Sequence, residues 1–213
     1  MKVLMLNGSC NLKGCTCTAL EEIGRVLLDE GLDYEIFQIG AKPVRDCLGC
    51  GKCRDGKCVF TDDGVNEFVE KAYEADGFVF GSPVYYAHPS GRSLSFLDRA
   101  FYGNSSDERC RAFKYKPGAA IVSARRGGTT ASLDAIQKYF GIAQMPTVGS
   151  TYWNMVHGQK PEDVMKDEEG LQTMRNIGRN MAWMVKCFAA GKQAGIVLPK
   201  TELEYSTNFI REV

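Results

Sequence analysis

The sequence lacks an excess of charge of either sign, because its 213 residues include 26 basic and 26 acidic side chains. This balance argues against a nucleic-acid binder with a basic face and against a disordered acidic chain. No hydrophobic run is long enough to span a membrane, and the opening MKVLMLNGS has neither the basic start nor the long apolar core of a signal peptide. We therefore expect a cytoplasmic protein without nucleic-acid or membrane partners.

Histidine is scarce as well, because His88 and His157 are the only two in the chain. With so few histidines, neither a Ser–His–Asp nor a Cys–His arrangement can be argued, and we predict no catalytic side chain. Cysteine is abundant instead, with nine residues. In a reducing compartment, cysteines serve metal or redox chemistry more often than disulfide bonds, so the sequence favours a redox or metal-containing protein.

Short β-branched and aromatic segments alternate with longer amphipathic segments along the chain. This alternation predicts βαβ units and a parallel sheet with helices on both faces. The predicted strands are residues 2–7, 34–39, 77–81, 119–123 and 146–151, and the predicted helices are residues 18–30, 63–75, 93–102, 130–140 and 161–190. We expect one domain over residues 1–213, with a cysteine-rich loop at 41–61 and a C-terminal extension at 192–213.

In an open parallel sheet, ligands bind outside the carboxyl ends of the strands, near the point where the strand order reverses. The loop after the first predicted strand reads GSCNLKGCTCT over residues 8–18 and opens directly into a helix. It matches neither the GxGxxG nor the P-loop pattern. The free N–H groups of a helix N-terminus favour a phosphate, and a terminal monophosphate fits best. Ordinary capping of the helix by Thr16 or Thr18 is the alternative.

Three cysteines, Cys10, Cys15 and Cys17, lie in this same loop. The pKa of a thiol tends to fall at a helix N-terminus, where the positive end of the dipole stabilises the thiolate. We therefore expect these thiols to be reactive when no ligand covers them.

Two further loops lie at the same edge of the predicted sheet. After the third strand, Tyr85 and Tyr86 stand between prolines and offer aromatic surface for a flat heterocycle. The alternative is an aromatic plug over the sheet edge. After the fourth strand, the run SARRGGTT combines two arginines, which favour an anion, with two glycines, which let the backbone approach a ligand. A solvated basic turn is the alternative there.

Four more cysteines form a compact CxxCxxCx4C run. They are Cys47, Cys50, Cys53 and Cys58. Three thiolates at intervals of three with a fourth close behind can wrap a 4Fe–4S cluster. A structural zinc usually takes two cysteine pairs with a longer spacer between them. Reduced thiols that pack the loop without any metal are the other alternative.

Together, the GSx(5)GxT start, the GSPVYY segment and the SARRGGTT turn resemble the NAD(P)H-dependent FMN reductase group of flavodoxin-like proteins. The cysteine run brings the chain closest to the iron–sulfur flavoprotein branch of that group. The resemblance implies an α/β, flavodoxin-like three-layer sandwich with a five-stranded parallel sheet in the order 2-1-3-4-5. It also implies a homodimer or homotetramer.

The resemblance further implies an FMN-dependent oxidoreductase that takes reducing equivalents from NAD(P)H and passes them to a small-molecule or protein acceptor. One alternative is an electron-transfer iron–sulfur flavoprotein that exchanges electrons with a ferredoxin-like partner and does not turn over NAD(P)H. A second alternative is a flavin-binding sensor or structural module.

The site residues implied by the resemblance fall into three groups. Those around the FMN phosphate would be Ser9, Asn11, Gly14, Cys15, Thr16 and Cys17. Those lining the isoalloxazine would be Pro83, Val84, Tyr85 and Tyr86, with Ser123, Arg125, Gly127 and Gly128 on its other edge. The chain departs from the group at Cys10, where a proline is common, and at Cys15, where an asparagine is common, so the side-chain contribution differs at both positions.

Overall fold

The computed structural model describes residues 1–108 and 110–205. Within these residues, the strands are β1 (Lys2–Asn7), β2 (Asp33–Gln38), β3 (Gly77–Tyr85), β4 (His88–Pro89), β5 (Gly118–Ala124) and β6 (Met155–His157). The helices are α1 (Cys15–Asp29), α2 (Val65–Glu74), α3 (Gly91–Asn104), α4 (Thr129–Ile142), α5 (Pro161–Val164) and α6 (Glu168–Gln193). The parallel strands lie in the order β2-β1-β3-β5-β6, and β4 pairs antiparallel with the end of β3. Counted over the parallel strands alone, this order confirms the predicted 2-1-3-4-5 topology.

The sheet is apolar on both faces because helices cover both of them. Successive residues of a strand point to opposite faces. Leu4 and Leu6 of β1 accordingly pack in the cluster that contains residues of α2, α3 and α4, whereas Val3 and Met5 pack in the cluster that contains residues of α1 and α6. The predicted three-layer α/β sandwich is therefore confirmed.

The fifth parallel strand is not where the sequence pattern placed it. In the predicted segment 146–151, Thr147 makes an isolated bridge to Gly118, and regular pairing with β5 begins only at Met155. The chain leaves the sheet in between because its polar groups bond to α6: the Ser150 hydroxyl donates to the Thr173 carbonyl oxygen at 2.8 Å. The loop that reaches the ligand edge is consequently the one after β6.

The helix predicted over residues 161–190 is two helices, α5 and α6. Asp167 lies at the break, where its Oδ1 accepts a hydrogen bond from the Gly170 N–H at 2.9 Å and caps α6. Its Oδ2 accepts a second bond from the His157 N–H at 2.6 Å, which joins the break to the end of β6. The last two residues of α6, which ends at Gln193, overlap the start of the predicted C-terminal extension at 192–213.

The described part of the extension is held by Thr201, whose hydroxyl lies 2.6 Å from the Lys114 Nζ and 3.1 Å from the Tyr115 hydroxyl. The rest of the predicted extension, residues 206–213, lies outside the described residues. Among the helices described, none combines the length and the apolar character needed to cross a membrane.

Candidate functional site

A cleft of about 570 Å³ opens at the carboxyl ends of β1, β3, β5 and β6. This size is typical of small-molecule sites. Its lining comes from four loops and comprises Ser9, Asn11, Leu12, Lys13, Gly14, Cys15, Thr16, Pro83, Val84, Tyr85, Ser123, Ala124, Arg125, Gly158, Gln159, Lys160 and Pro161.

The first of these loops ends at the N-terminus of α1. The helix begins at Cys15, three residues earlier than predicted, and Gly14 is its N-cap without any side-chain cap. Thr16 and Thr18 lie inside the helix, where the Thr18 hydroxyl donates to the Gly14 carbonyl oxygen at 3.3 Å, so the alternative of a threonine cap is wrong. The uncapped first turn presents N–H groups and the positive end of the helix dipole, an arrangement that suits an anion.

The turn before α1 is shaped by its own side chains. The Ser9 N–H donates to the Asn7 Oδ1 at 3.1 Å, and the Ser9 hydroxyl accepts a hydrogen bond from the Asn11 N–H at 3.1 Å. These bonds hold the backbone in one conformation beside the cleft, so a ligand there meets groups that are already ordered.

A buried pair of hydroxyls joins two of the cleft loops. The Thr16 Oγ1 lies 2.8 Å from the Ser123 Oγ, and both residues are buried although they line the cleft. Thr16 belongs to the first turn of α1 and Ser123 to the end of β5. The pair therefore fixes the distance between the α1 N-terminus and the loop that follows β5.

The hairpin between β3 and β4 carries the two predicted tyrosines, and it separates them. Tyr85 lines the cleft and is half exposed, whereas Tyr86 is fully exposed at the hairpin tip. Tyr86 and Ala87 have φ angles of 50° and 60°, the left-handed backbone that a two-residue hairpin requires and that side chains other than glycine disfavour.

The two glycines of the run SARRGGTT have different surroundings. Gly128 has a φ of 96°, and a Cβ there would lie 2.3 Å from the Cα of Ala87 at the hairpin tip. A Cβ at Gly127 would meet nothing within 4 Å. Gly128 is thus required for packing between two protein loops, and no close approach requires Gly127 to be glycine.

Ten of the fourteen residues predicted to contact the flavin line this one cleft. They are Ser9, Asn11, Gly14, Cys15, Thr16, Pro83, Val84, Tyr85, Ser123 and Arg125. Tyr86, Gly127 and Gly128 do not line it, and neither does Cys17. Cys17 is buried on α1, where its Sγ accepts a hydrogen bond from the Gln38 Nε2 at 3.8 Å.

The segment Gly158–Pro161, which forms one wall of the cleft, was not predicted as part of the site. It was missed because the fifth strand was placed too early, which left these residues inside the last predicted helix or before it. The contact between the Cys15 Sγ and the Gly158 carbonyl oxygen, at 3.6 Å, joins this wall to the start of α1. The nearby residues Leu12, Lys13 and Ala124 were also missed.

The thiols at the start of α1 do not behave as predicted. Burial raises the pKa of Cys15, and the carboxylates of Asp163 and Glu162 raise it further. Burial likewise raises the pKa of Cys17, with a further contribution from Glu21. The expected fall in pKa from the helix dipole is outweighed at both positions, because a thiolate is poorly solvated there.

The four cysteines of the CxxCxxCx4C run are free thiols in the described structure, and Cys50 is the exposed one. Burial raises the pKa of Cys53, and the charges of Cys58, Cys50 and Cys47 raise it further. Nevertheless, the described residues contain no group of three or more Cys, His, Asp or Glu side chains placed to hold a metal ion.

The cysteine loop is held by Arg99 of α3, whose side chain is fully buried and which no sequence signal singled out. Its guanidinium forms an ion pair with Asp63 and donates to the Cys58 Sγ at 3.3 Å. It also donates to the carbonyl oxygens of Arg45 and Phe60 at 3.2 and 3.1 Å. One buried cation thus binds both ends of the loop.

A second cavity, of about 620 Å³, lies near the C-terminal ends of α3 and α4. Its lining is largely apolar and comprises Cys47, Asp98, Phe101, Tyr102, Ser105, Cys110, Tyr139 and Ile142. Ligands of doubly wound sheets bind at the carboxyl ends of the strands, where the polar groups of the first cleft converge. We therefore identify the first cleft as the candidate functional site.

Comparison with known proteins gives a consistent result. Residues 1–160 match the family model described as NADPH-dependent FMN reductase. An iron-sulfur flavoprotein of Methanocaldococcus jannaschii is 32% identical over 194 residues, covering 87% of this chain and 98% of that protein. An FMN reductase (NADPH) of Pseudomonas putida is 30% identical over 98 residues, which is 46% of each chain.

Among solved structures, RosB with a bound 8-demethyl-8-formylriboflavin-5'-phosphate intermediate superposes with a TM-score of 0.68 at 13% identity. The match covers 100% of this chain and 94% of that one. At this identity the likeness shows the flavodoxin-like fold alone.

Proposed function

The chain belongs to the NADPH-dependent FMN reductase family and is an FMN-dependent oxidoreductase, and from this premise we propose that the cleft at the carboxyl ends of β1, β3, β5 and β6 is its FMN site. Bound FMN supplies the redox chemistry, because its ring accepts a hydride from a nicotinamide and gives up the electrons to an acceptor. The protein contributes binding, orientation and electrostatics. In this proposal no side chain acts as catalytic acid or base.

The phosphate end of the proposed site is the first turn of α1. Its uncapped N–H groups, the ordered turn from Ser9 to Asn11 and the hydroxyl of Thr16 offer hydrogen bonds to a phosphate monoester. Lys13 adds a positive charge to the same wall. The uncapped helix N-terminus inside the cleft is the single observation that carries the assignment.

The ring end of the proposed site lies between the loops after β3 and β5. Pro83, Val84 and Tyr85 offer a rigid, partly aromatic wall, and Ser123 and Arg125 face it from the other loop. Because Cys17, Tyr86, Gly127 and Gly128 do not line the cleft, the proposed FMN site is limited to the ten predicted residues that do.

The experiment that tests this function is anaerobic stopped-flow mixing of FMN-loaded protein with NADPH and, separately, with NADH. We expect the flavin absorbance to bleach with at least one nucleotide, because the family transfers hydride from NAD(P)H to FMN. If neither nucleotide reduces the flavin, the oxidoreductase acts without NAD(P)H, as an electron-transfer flavoprotein that exchanges electrons with a ferredoxin-like partner.

That second function is favoured by a specific observation: a relative of matching length is an iron-sulfur flavoprotein, and this chain carries four free thiols in one short loop. The donor set has the chemistry of a 4Fe–4S site. The geometry does not, because the Cys58 Sγ is engaged by Arg99 and no three thiols of the described structure converge. We therefore derive no electron path through this loop.

Iron and acid-labile sulfide in anaerobically prepared protein test the cluster. With a cluster, Cys50→Ser should remove the iron and spare FMN, whereas Cys187→Ser, which changes another exposed free thiol on α6, should leave both unchanged. If the wild-type protein contains no iron, the cluster is refuted and the four cysteines are reduced thiols that pack the loop.

We also propose that the chain is one FMN-binding domain over residues 1–213 that forms a homodimer or homotetramer in the cytoplasm. Support for self-association comes from large exposed apolar side chains on and beyond α6, among them Trp183, Ile196, Val197 and Leu198. The electron acceptor is proposed to be a small molecule or a ferredoxin-like protein. Light scattering after gel filtration measures the oligomeric state, and a monomer would contradict the proposal.

A further inference from the structure

The charged residues that line the cleft are all basic. The lining contains Lys13, Arg125 and Lys160 and no aspartate or glutamate, although the whole chain has equal numbers of acidic and basic residues. Three cations from three different loops make the cleft attractive to more than one anionic group.

These three cations are also free to bind a ligand. Within residues 1–108 and 110–205, none of them forms an ion pair, whereas Arg25, Arg99 and Arg175 do. Two acidic side chains, Glu162 and Asp163, follow Lys160 closely in sequence, and both raise the pKa of Cys15. Asp163 is engaged by the backbone, because its Oδ2 accepts hydrogen bonds from the N–H groups of Gln159 and Lys160.

Arg125 and Lys160 belong to the loops that follow two neighbouring strands, β5 and β6. Ala124 pairs with His157 at the end of the sheet, and the Gly158 N–H donates to the Ala124 carbonyl oxygen at 3.0 Å. Arg125 follows the paired position by one residue and Lys160 follows it by three. The register thus brings the two cations out at the same end of the sheet, on loops separate from the α1 N-terminus.

The monophosphate of FMN needs only one anion site, and the first turn of α1 with Lys13 supplies it. Arg125 and Lys160 are then not needed to bind the phosphate of FMN. Nicotinamide substrates differ at one anionic group: NADPH carries a 2′-phosphate with a charge of about −1.5 to −2 at neutral pH, where NADH has a neutral hydroxyl. An arginine fork and a lysine point charge are the side chains that bind such a group.

We propose that Arg125 and Lys160 bind the 2′-phosphate of NADPH and make this chain select NADPH over NADH. This inference rests on the proposed function, since it requires the cleft to be the place where a nicotinamide meets FMN. Arg125 then binds the nucleotide as well as bordering the flavin.

The test is equilibrium binding of NADP⁺ and NAD⁺ to FMN-loaded protein, measured by titration calorimetry. Arg125→Gln should lower the ratio of NADP⁺ to NAD⁺ affinity by about ten-fold, as expected when a charged hydrogen-bond donor is lost. Lys160→Gln should lower it in the same direction. Arg126→Gln is the matched control, because it removes the same charge from the adjacent residue, which is exposed and does not line the cleft. The wild-type preference for NADP⁺ should also weaken at high salt.

Several outcomes would overturn the inference. Equal losses in Arg125→Gln and Arg126→Gln would show a diffuse charge effect, and an unchanged ratio in Arg125→Gln would exclude its contact with the phosphate. If Arg125→Gln loses FMN on dialysis, the charge of Arg125 binds the flavin and not the nucleotide phosphate. Wild-type protein that binds neither nucleotide would also refute it.

Failure of the inference and failure of the proposed function are distinguishable. Selective NADP⁺ binding without flavin bleaching by NADPH would contradict the NAD(P)H-reductase function and leave the phosphate site intact. If NADH and NADPH both bleach the flavin and bind with equal affinity, the NAD(P)H-reductase function stands and the 2′-phosphate site is refuted.

Discussion

The cleft and the cysteine loop are both built from irregular backbone, but they are held in different ways. Each cleft loop begins at the end of a buried strand, so the sheet registers set its position, and one hydroxyl pair joins the loops after β1 and β5. The loop at 41–61 follows the edge strand β2, and in the described part of the chain side-chain hydrogen bonds tie it to the rest of the fold. Geometry inherited from a sheet is robust, whereas geometry held by single side chains depends on each of them.

Two side chains besides Arg99 illustrate this dependence. Arg92 at the start of α3 donates to the carbonyl oxygens of Ala41 and Lys42 at 3.3 and 2.9 Å. Asn66 of α2 accepts a hydrogen bond from the Cys58 N–H at 2.9 Å and donates to the Cys58 carbonyl oxygen at 2.8 Å. Cys58 is therefore the anchored member of the four cysteines, and Cys50 is the exposed one.

The largest effect is expected from Arg99→Ala, which tests whether a single buried side chain holds the cysteine loop. Removing one partner of a buried ion pair leaves an uncompensated charge and typically costs about 3–5 kcal/mol. The free energy of unfolding, from urea denaturation, should fall by that amount because Asp63 and two loop carbonyls lose their donor.

Arg45→Ala is the matched control, since its ion pair with Asp62 is exposed and its backbone carbonyl still accepts from Arg99. It should change stability far less. Similar losses in both variants would mean that the loop is held by many weak contacts rather than by one buried cation.

A smaller effect is expected in the cleft from Thr16→Ala. The variant removes the hydroxyl that lies 2.8 Å from the Ser123 Oγ and borders the proposed phosphate site. Because the buried Ser123 hydroxyl loses its partner while the sheet keeps the loops in place, we expect the FMN dissociation constant to rise by about ten-fold and the free energy of unfolding to fall by about 1 kcal/mol.

Thr18→Ala is the control for this change, because the Thr18 hydroxyl bonds to the Gly14 carbonyl oxygen and does not line the cleft. Fluorescence titration of FMN into the apo-proteins measures both. Undiminished FMN affinity in Thr16→Ala would place the phosphate elsewhere.

The smallest effect concerns the cleft thiol Cys15. Since its pKa is raised, less thiolate is present at neutral pH, and alkylation by iodoacetamide should be slower than for the exposed Cys50 by roughly several-fold. The labelling rate of Cys15 should keep increasing at pH values above the ordinary pKa of a thiol, because its raised pKa delays formation of the thiolate. Peptide mass spectrometry of the labelled apo-protein gives both rates, and faster labelling of Cys15 than of Cys50 at neutral pH would contradict the effect of burial.

Sequence patterns predicted the central strands well because a strand covered on both faces is apolar along most of its length, as residues 3–6 and 119–122 are. They failed at residues 146–151, where Val148 is as apolar as a strand residue but the chain is drawn away by hydrogen bonds to α6. The pattern records how apolar a segment is and not which partner satisfies its backbone.

The same distinction holds for the candidate site. Loops that follow predicted strands could be placed at the ligand edge, and ten residues from them meet in one cleft. The wall at Gly158–Pro161 could not be placed, because its position depends on where the last strand pairs. The burial of Cys15 and Cys17, which reverses the expected direction of their pKa shift, also arises only when helix and sheet pack together.

The sequence by itself determined the layer architecture and the position of the ligand edge, because hydrophobic periodicity and loop positions are local properties of the chain. The strand order was an implication of the family that its loop motifs resemble. Only the tertiary structure decided which cations reach the cleft and which buried side chain holds the cysteine loop. Arg125 and Arg126 are identical neighbours in sequence, and Arg99 resembles any helical arginine. The register of β5 with β6 and the packing of α3 against the loop give them different surroundings.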